Sequence, residues 1–145
     1  MSDRDDVLAI LSASFTATDR RDHEAKHRFF TADAVMRHGD GEGTEVRGLQ
    51  AIAANTKRVA EHFTTMHALS NWDIAVDGDE AQAVSHAIAH VLDAGGARML
   101  IRGLRYDDRL VRTGAGWRIA ERRHNLLWQL EVDAATPRSL FEYLP

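Results

Sequence analysis

Gly103-Leu104-Arg105-Tyr106-Asp107-Asp108-Arg109-Leu110, followed by Gly116-Trp117-Arg118-Ile119-Ala120-Glu121-Arg122-Arg123, is the stretch on which the fold turns. Between the two runs, Thr113-Gly114-Ala115-Gly116 supplies small, turn-forming residues that let a chain reverse. The pattern predicts two long strands, Ala97 to Arg112 and Trp117 to Glu131, joined as an antiparallel hairpin. Working back toward the N-terminus, Asp93-Ala94-Gly95-Gly96 reads as another turn. Before it, Glu80 to Leu92 reads as a strand, Asp77-Gly78-Asp79 as a strong hairpin signal, and Met66 to Val76 as a further strand.

Upstream of this meander the spacing changes to that of helices. Val7, Leu8, Leu11 and Phe15 form one apolar stripe over Asp3 to Thr18, with acidic residues at the start that suit the helix dipole. A second short helix is predicted over His23 to Phe30, with Phe29 and Phe30 packing inward. A third is predicted over Leu49 to Phe63, carrying Ile52, Ala53, Val59 and Ala60. Between these helices Ala34 to His38 reads as a short strand, Gly39 to Gly43 as a turn-rich loop, and Val46 to Gly48 as a short extended piece. Helices first and a long meander afterwards make an α+β domain: three N-terminal helices against a strongly curved antiparallel mixed sheet, with a pocket between the layers. That domain is expected over residues 1–132, and 133–145 as a C-terminal tail.

The 145 residues suit a single core, and 44% hydrophobic with 28% charged residues is an ordinary globular balance. Sixteen of the eighteen basic residues are arginines, but they are dispersed and the formal charge is −4, so no nucleic-acid groove is predicted. With no cysteine, disulfides, thiolate catalysis and Cys-ligated zinc are excluded. The acidic start Met1-Ser2-Asp3-Arg4-Asp5-Asp6 lacks the apolar core of a secretory signal, and no apolar run approaches the roughly 20 residues that span a bilayer, so a cytoplasmic location and no membrane contact are expected.

Asp19 follows Phe15 by four residues and continues the apolar stripe of the first helix. The plain reading is a helix-end residue bonding nearby backbone. The chemical reading is a carboxylate aimed at the core, which needs a partner because an unpaired buried charge is costly. A histidine is the natural partner, and among eight histidines His67 stands at the start of the strand Met66 to Val76. His23, His27 and His62 read as solvated, His38 fits either face, and His124 stands among arginines. His86 and His90 share one strand face with Ile88, and His90 is placed in the pocket. At ~3.3 Å per residue they lie about 13 Å apart and cannot share an ion. His67, Asp19 and His90 are residue types that could form a metal set, but no metal is predicted; H-x-H, H-E-x-x-H, Walker A, GxSxG and GxGxxG patterns do not occur, and Gly39 to Gly43 is too acidic to cradle phosphate.

Two groups of motifs carry a family resemblance. Asp19-Arg20-Arg21-Asp22 with Phe29-Phe30-Thr31-Ala32-Asp33-Ala34-Val35 resembles the opening of SnoaL-like proteins, and the Gly103–Leu110 and Gly116–Arg123 runs resemble their ending. The likeness covers about Asp5 to Trp128. It implies the NTF2-like, cystatin-like cone. The branch most resembled contains scytalone dehydratase, the dehydrochlorinase LinA and bile-acid 7α-dehydratases. Those enzymes share an Asp at the end of the first helix and a His early in the sheet, which fall here on Asp19 and His67. The second His of scytalone dehydratase falls on His90. Thr18 stands where that enzyme has a Tyr, and its pocket Asn falls near Tyr106, so those two roles change.

The resemblance and the residues together imply a cofactor-independent acid–base enzyme of dehydratase, dehydrohalogenase or isomerase type, acting on a hydrophobic cyclic or polyketide-like small molecule. Asp19 would fix and charge-stabilise His67, His67 would move the proton, and His90 would donate one to the leaving group. Phe15, Phe30, Met66, Trp72, Met99, Tyr106, Leu127 and Trp128 are expected to line the pocket. A non-catalytic small-molecule binder and an accessory β-type subunit of a ring-hydroxylating dioxygenase are the alternatives. Relatives imply a homo-oligomer, with a trimer ahead of a dimer.

Overall fold

The computed structural model describes residues 1–39, 45–135 and 139–144. Helix α1 (Asp3–Asp19) begins at a capping box: the Ser2 hydroxyl accepts the Asp5 N–H and the Asp5 carboxylate accepts the Ser2 N–H. It buries Val7, Leu11, Ser14 and Phe15, the face expected from the stripe. The chain then turns with Arg21 in the left-handed region (φ 59°), which stops α1 with Asp19 as its last residue.

A single 3₁₀ turn follows (Glu24–Arg28), then β1 (Phe30–His38), β2 (Glu45–Arg47), α2 (Leu49–His62), β3 (Phe63–Asp77), β4 (Glu80–Asp93), β5 (Arg98–Thr113) and β6 (Gly116–Asp133). The expected three helices are therefore two. Glu24–Arg28 has no side-chain N-cap and is too short to propagate, and Phe30 with Thr31 prefers extended backbone. Phe30 thus opens a strand instead of closing a helix, and β1 starts four residues earlier than expected. Most of the acidic Gly39 to Gly43 loop lies outside the described residues. After β6 the chain carries a 3₁₀ turn, Leu140–Tyr143, whose side chains are exposed.

The six strands form one mixed sheet in the order β2-β1-β6-β5-β4-β3, antiparallel except for the β1–β6 pair. The inward row of β4 is made of small residues: Ala81, Ala83, Ser85, Ala87, Ala89 and Val91. At its first end α1 packs directly against the sheet, through Val7, Leu11, Ile74, Leu110, Trp117 and Ile119. Each fully buried Leu or Ile there contributes about 1.5–3 kcal/mol of burial. At its other end Phe15, Ala87, Ala89, Leu104 and Tyr106 pack as a second cluster around open space, because alanines do not reach across it.

Three irregularities redirect side chains. The β3 ladder slips at Asn71 (φ 21°), and β6 slips against β5 between Gly103 and Leu104 and between Arg109 and Leu110. At Gly103 the Trp128 ring lies where a Cβ would stand, 2.1 Å from it, so only glycine fits under that ring.

Candidate active site: a carboxylate–histidine pair on a cationic cavity

Between α1, α2 and the concave face of the sheet lies a cavity of about 650 Å³. Its apolar walls include Phe15, Phe30, Met36, Phe63, Val91, Leu100 and Leu104. Its polar walls include Thr18, Lys26, His38, Thr65, His67, Arg102, Tyr106, Arg122 and His124.

The turn at Arg21 and the register of β3 bring Asp19 and His67 together. His67 Nδ1 donates to Asp19 Oδ1 over 2.6 Å, the His67 backbone N–H donates to Oδ2 over 2.7 Å, and the Thr65 hydroxyl donates to Oδ1 over 2.9 Å. The His67 ring stacks on Phe15 with centroids 5.4 Å apart. Burial acts to raise the Asp19 carboxyl, but the bonds from the His67 ring and backbone and from Thr65 hold it below its ordinary value. Asp19 is therefore an anion that accepts from Nδ1–H, which leaves Nε2 as the ring nitrogen not engaged by the carboxylate.

Two further charged groups sit deeper. Arg122 makes a two-pronged contact with Asp108, at 2.8 Å from Nε to Oδ1 and 2.8 Å from Nη2 to Oδ2, and reaches the Ser14 hydroxyl at 3.3 Å. Its guanidinium lies 4.9 Å from the Phe15 and Tyr106 ring centres and 5.6 Å from that of Phe30. Burial pushes the Asp108 carboxyl up against the pull of Arg122; burial acts to lower Arg122, yet Asp108 holds it above its ordinary value. Lys26 is 4% exposed, and its ammonium donates to the Thr18 hydroxyl over 2.7 Å. Burial, aided by the positive Arg122, pushes the Lys26 amine down to about 8. Burial also pushes the Tyr106 phenol up, so it stays protonated.

Several expected positions fall elsewhere. His90 lies on the outer row of β4, paired with Met66 of β3, because the inward row carries Ala87, Ala89 and Val91; it does not reach the cavity. Phe15, Phe30 and Tyr106 line the cavity as expected. Met66, Trp72, Leu127 and Trp128 do not, and are 57%, 45%, 49% and 46% exposed. Met66 has outward parity, and Trp72 lies just past the slip at Asn71. The slip beside Gly103 takes Leu127 and Trp128 off the inner row, and Met99 alternates outward from Leu100.

Lys26, Arg102, Arg122 and Asp108 were not read from the sequence as site residues, and His38 and His124 were left open. Signals existed for some. Asp108 lies between two buried positions of its strand face, Tyr106 and Leu110, a pattern in which a charge needs a partner. Lys26 gave none, being one polar residue in a polar segment.

A curved mixed sheet wrapped on a helix, with a half-buried acid–histidine pair at the helix end, defines a cone of the NTF2-like, cystatin-like class. A family model for the SnoaL-like domain matches residues 1–123, and the chain belongs to that family. An uncharacterized protein of Mycobacterium tuberculosis is 33% identical over 124 residues, covering 84% of either chain. Among solved structures, a Kribbella flavida protein superposes with a TM-score of 0.81 at 20% identity, covering 88% of this chain and 93% of its own. The LinA-type3 hexachlorocyclohexane dehydrochlorinase of Novosphingobium barchaimii does so with 0.79 at 12% identity, covering 93% and 94%. Among the described residues no helix is long and apolar enough to cross a membrane.

Proposed function

We propose that the protein is an acid–base enzyme of elimination, dehydration or isomerisation type, acting on a hydrophobic cyclic small molecule. The observation that carries this reading is the 2.6 Å bond from His67 Nδ1 to Asp19 at the edge of a largely apolar cavity. His67 Nε2 takes a proton from a substrate carbon, and the Asp19 carboxylate stabilises the imidazolium that forms. In an elimination the C–H electron pair becomes the new double bond and the neighbouring bond breaks toward its leaving group. In an isomerisation the same imidazolium returns the proton at another carbon. His67 and Asp19 suffice for these steps, so the reading calls for no cofactor. With His90 on the outer face, Lys26 takes the place of proton donor: its ammonium is buried in the same wall and held near 8, where it can release a proton to a departing oxygen.

The test is a panel of cyclic β-hydroxy ketones, chlorinated cyclohexanes and cyclic enones, followed by NMR in deuterated water for elimination or carbon-bound exchange. Wild-type turnover of at least one class, lost in His67→Ala and Asp19→Asn with the fold retained, is the expected result. No turnover of any class, or turnover that survives both changes, sinks the reading. The size of the cavity favours one other reading, a non-catalytic binder; it predicts an apolar ligand that co-purifies and stays bound in His67→Ala.

A homo-oligomer, a trimer ahead of a dimer, goes with this reading. The exposed Met66, Trp72, Leu127, Trp128, Leu130 and Val132 on β3 and β6 support it. Sedimentation equilibrium that returns the mass of one chain would rule it out.

A further inference from the structure

Lys26, Arg102 and Arg122 all line the cavity as cations. Lys26 is held by Thr18, and Arg122 is locked to Asp108. Asp19, the other carboxylate bonded to the lining, is taken up by His67 and Thr65. Arg102 differs. Among the described residues its guanidinium has no ion pair, and its Nε is buried without a hydrogen-bond partner. Arg102 is half-buried, and its dry, unpartnered Nε together with the lack of a counter-charge leaves donor capacity on the cavity wall for an incoming acceptor.

Two histidines line the same cavity. His38 of β1 and His124 of β6 are register partners across the parallel pair, and their rings lie 5.3 Å apart. Both line the cavity, and burial together with the positive Arg102 keeps both imidazoles below their ordinary values. At neutral pH each is uncharged, with one N–H to give. Together the three side chains form a donor-rich wall with no acceptor charge of its own.

The sheet register places this wall relative to His67. His67 pairs with Ala89, and Ala89 pairs with Arg102. The two residues therefore stand on one cross-strand row, two strand spacings or about 10 Å apart at their Cα atoms. The residue between them is an alanine, so nothing stands up in the gap.

We infer that Arg102, with His38 and His124 lining the same cavity, is the anchor for a carboxylate on the substrate, which it holds across Ala89 from His67. The substrate class is then a hydrophobic cyclic acid and not a neutral hydrocarbon. The planar fork of Arg102 matches a carboxylate with two parallel hydrogen bonds. The inference rests on the acid–base reading for what His67 does, but the anchor itself is tested by binding alone.

The experiment uses the full chain at pH 7 with 2-naphthoate and its uncharged counterpart 2-naphthamide, by titration calorimetry. The expected result is naphthoate bound at least about tenfold more tightly than naphthamide, the range for a hydrogen bond to a charged group. Arg102→Met is expected to abolish that preference while leaving the naphthamide affinity within twofold, which also reports that the cavity is intact. Arg102→Lys keeps the charge without the fork; it is expected to lose most of the preference, and it carries the test if Arg102→Met does not fold. His67→Ala is expected to keep the preference. Equal binding of the two probes by the wild type, no binding of naphthoate at millimolar concentration, or a preference that survives Arg102→Met would overturn the inference. A preference that stands in a protein without turnover would overturn the acid–base reading alone.

Discussion

Asp108–Arg122 and Asp19–His67 are two carboxylate pairs in one small core, built with opposite consequences. The first is closed: the side chains are 0% and 5% exposed, and both prongs measure 2.8 Å. Its cationic member cannot release a proton in any accessible range. The second sits at the cavity edge, with side chains 20% and 11% exposed, and its basic member is an imidazole, whose two ring nitrogens can act one as donor and one as acceptor. Burial and geometry make both pairs strong, but only exchange of the guanidinium for an imidazole, together with an open side, gives a pair that can pass a proton on. The first braces Phe15 and Tyr106 by cation–π contact; Phe15 in turn stacks on His67, so the closed pair supports the open one.

The sharpest way to break this contrast is to remove one partner of the closed pair. Asp108→Ala leaves Arg122 buried and uncompensated and should cost about 3–5 kcal/mol in urea unfolding, while the double change Asp108→Leu with Arg122→Met should recover most of it. A single-variant loss below about 1 kcal/mol would show that water reaches the pair.

Next is the acid response. Burial, with His38 and Arg102, pushes the His124 imidazole down to about 4. The unfolded chain therefore takes up a proton between pH 6.5 and 4 that the folded chain refuses, and stability falls as pH falls through that window, by up to about 3 kcal/mol. His124→Asn should flatten that slope in urea midpoints measured at pH 7 and 4.5. Asp19, held low by His67, contributes stability above about pH 4 that is lost only as pH falls below it. The two losses should separate in an acid titration.

Asp19→Asn should cost about 1–2 kcal/mol of stability, well short of Asp108→Ala, because its site is open to solvent. Under the proposed mechanism the same change lowers kcat by about 10²–10⁴-fold. A stability loss equal to that of Asp108→Ala would mark the open pair as structural.

The smallest effect is expected at Lys26. Its depressed amine means that charge weakens the fold below pH 8, and that stability recovers as pH rises toward 10.5. Lys26→Met should raise the melting temperature slightly at pH 7, by the equivalent of about 1 kcal/mol or less once the bond to Thr18 is lost. A drop in melting temperature would place Lys26 among the bracing groups.

Much of this was legible beforehand. Turn residues at Asp77–Asp79, Asp93–Gly96 and Thr113–Gly116 fixed the meander, since short loops leave antiparallel pairing as the only choice. The stripe Val7–Leu11–Phe15 carried Asp19 to the buried face of α1, because 3.6 residues per turn decides which side chains share a face. Strand faces were a different matter. His90, Met66, Trp72 and Trp128 were all given to the cavity and all lie outside it. Period-two alternation names two faces without saying which is inner, and each ladder slip exchanges them.

The sequence by itself determined the α+β order and the strand partners in the meander through local turns, and the inward placement of Asp19 through helical periodicity, while the family resemblance pointed to His67 as its partner. Only the tertiary structure decided what else faces that pair. The β1–β6 partnership pairs His38 with His124, 86 residues away, and runs parallel, so no hairpin announces it. Three-dimensional closure likewise sets Arg102 across Ala89 from His67, and buries Lys26 and Arg122 in one wall. Long-range register of this kind is settled by which packing fills space and satisfies buried charge, a property of the whole core and not of any segment of the chain.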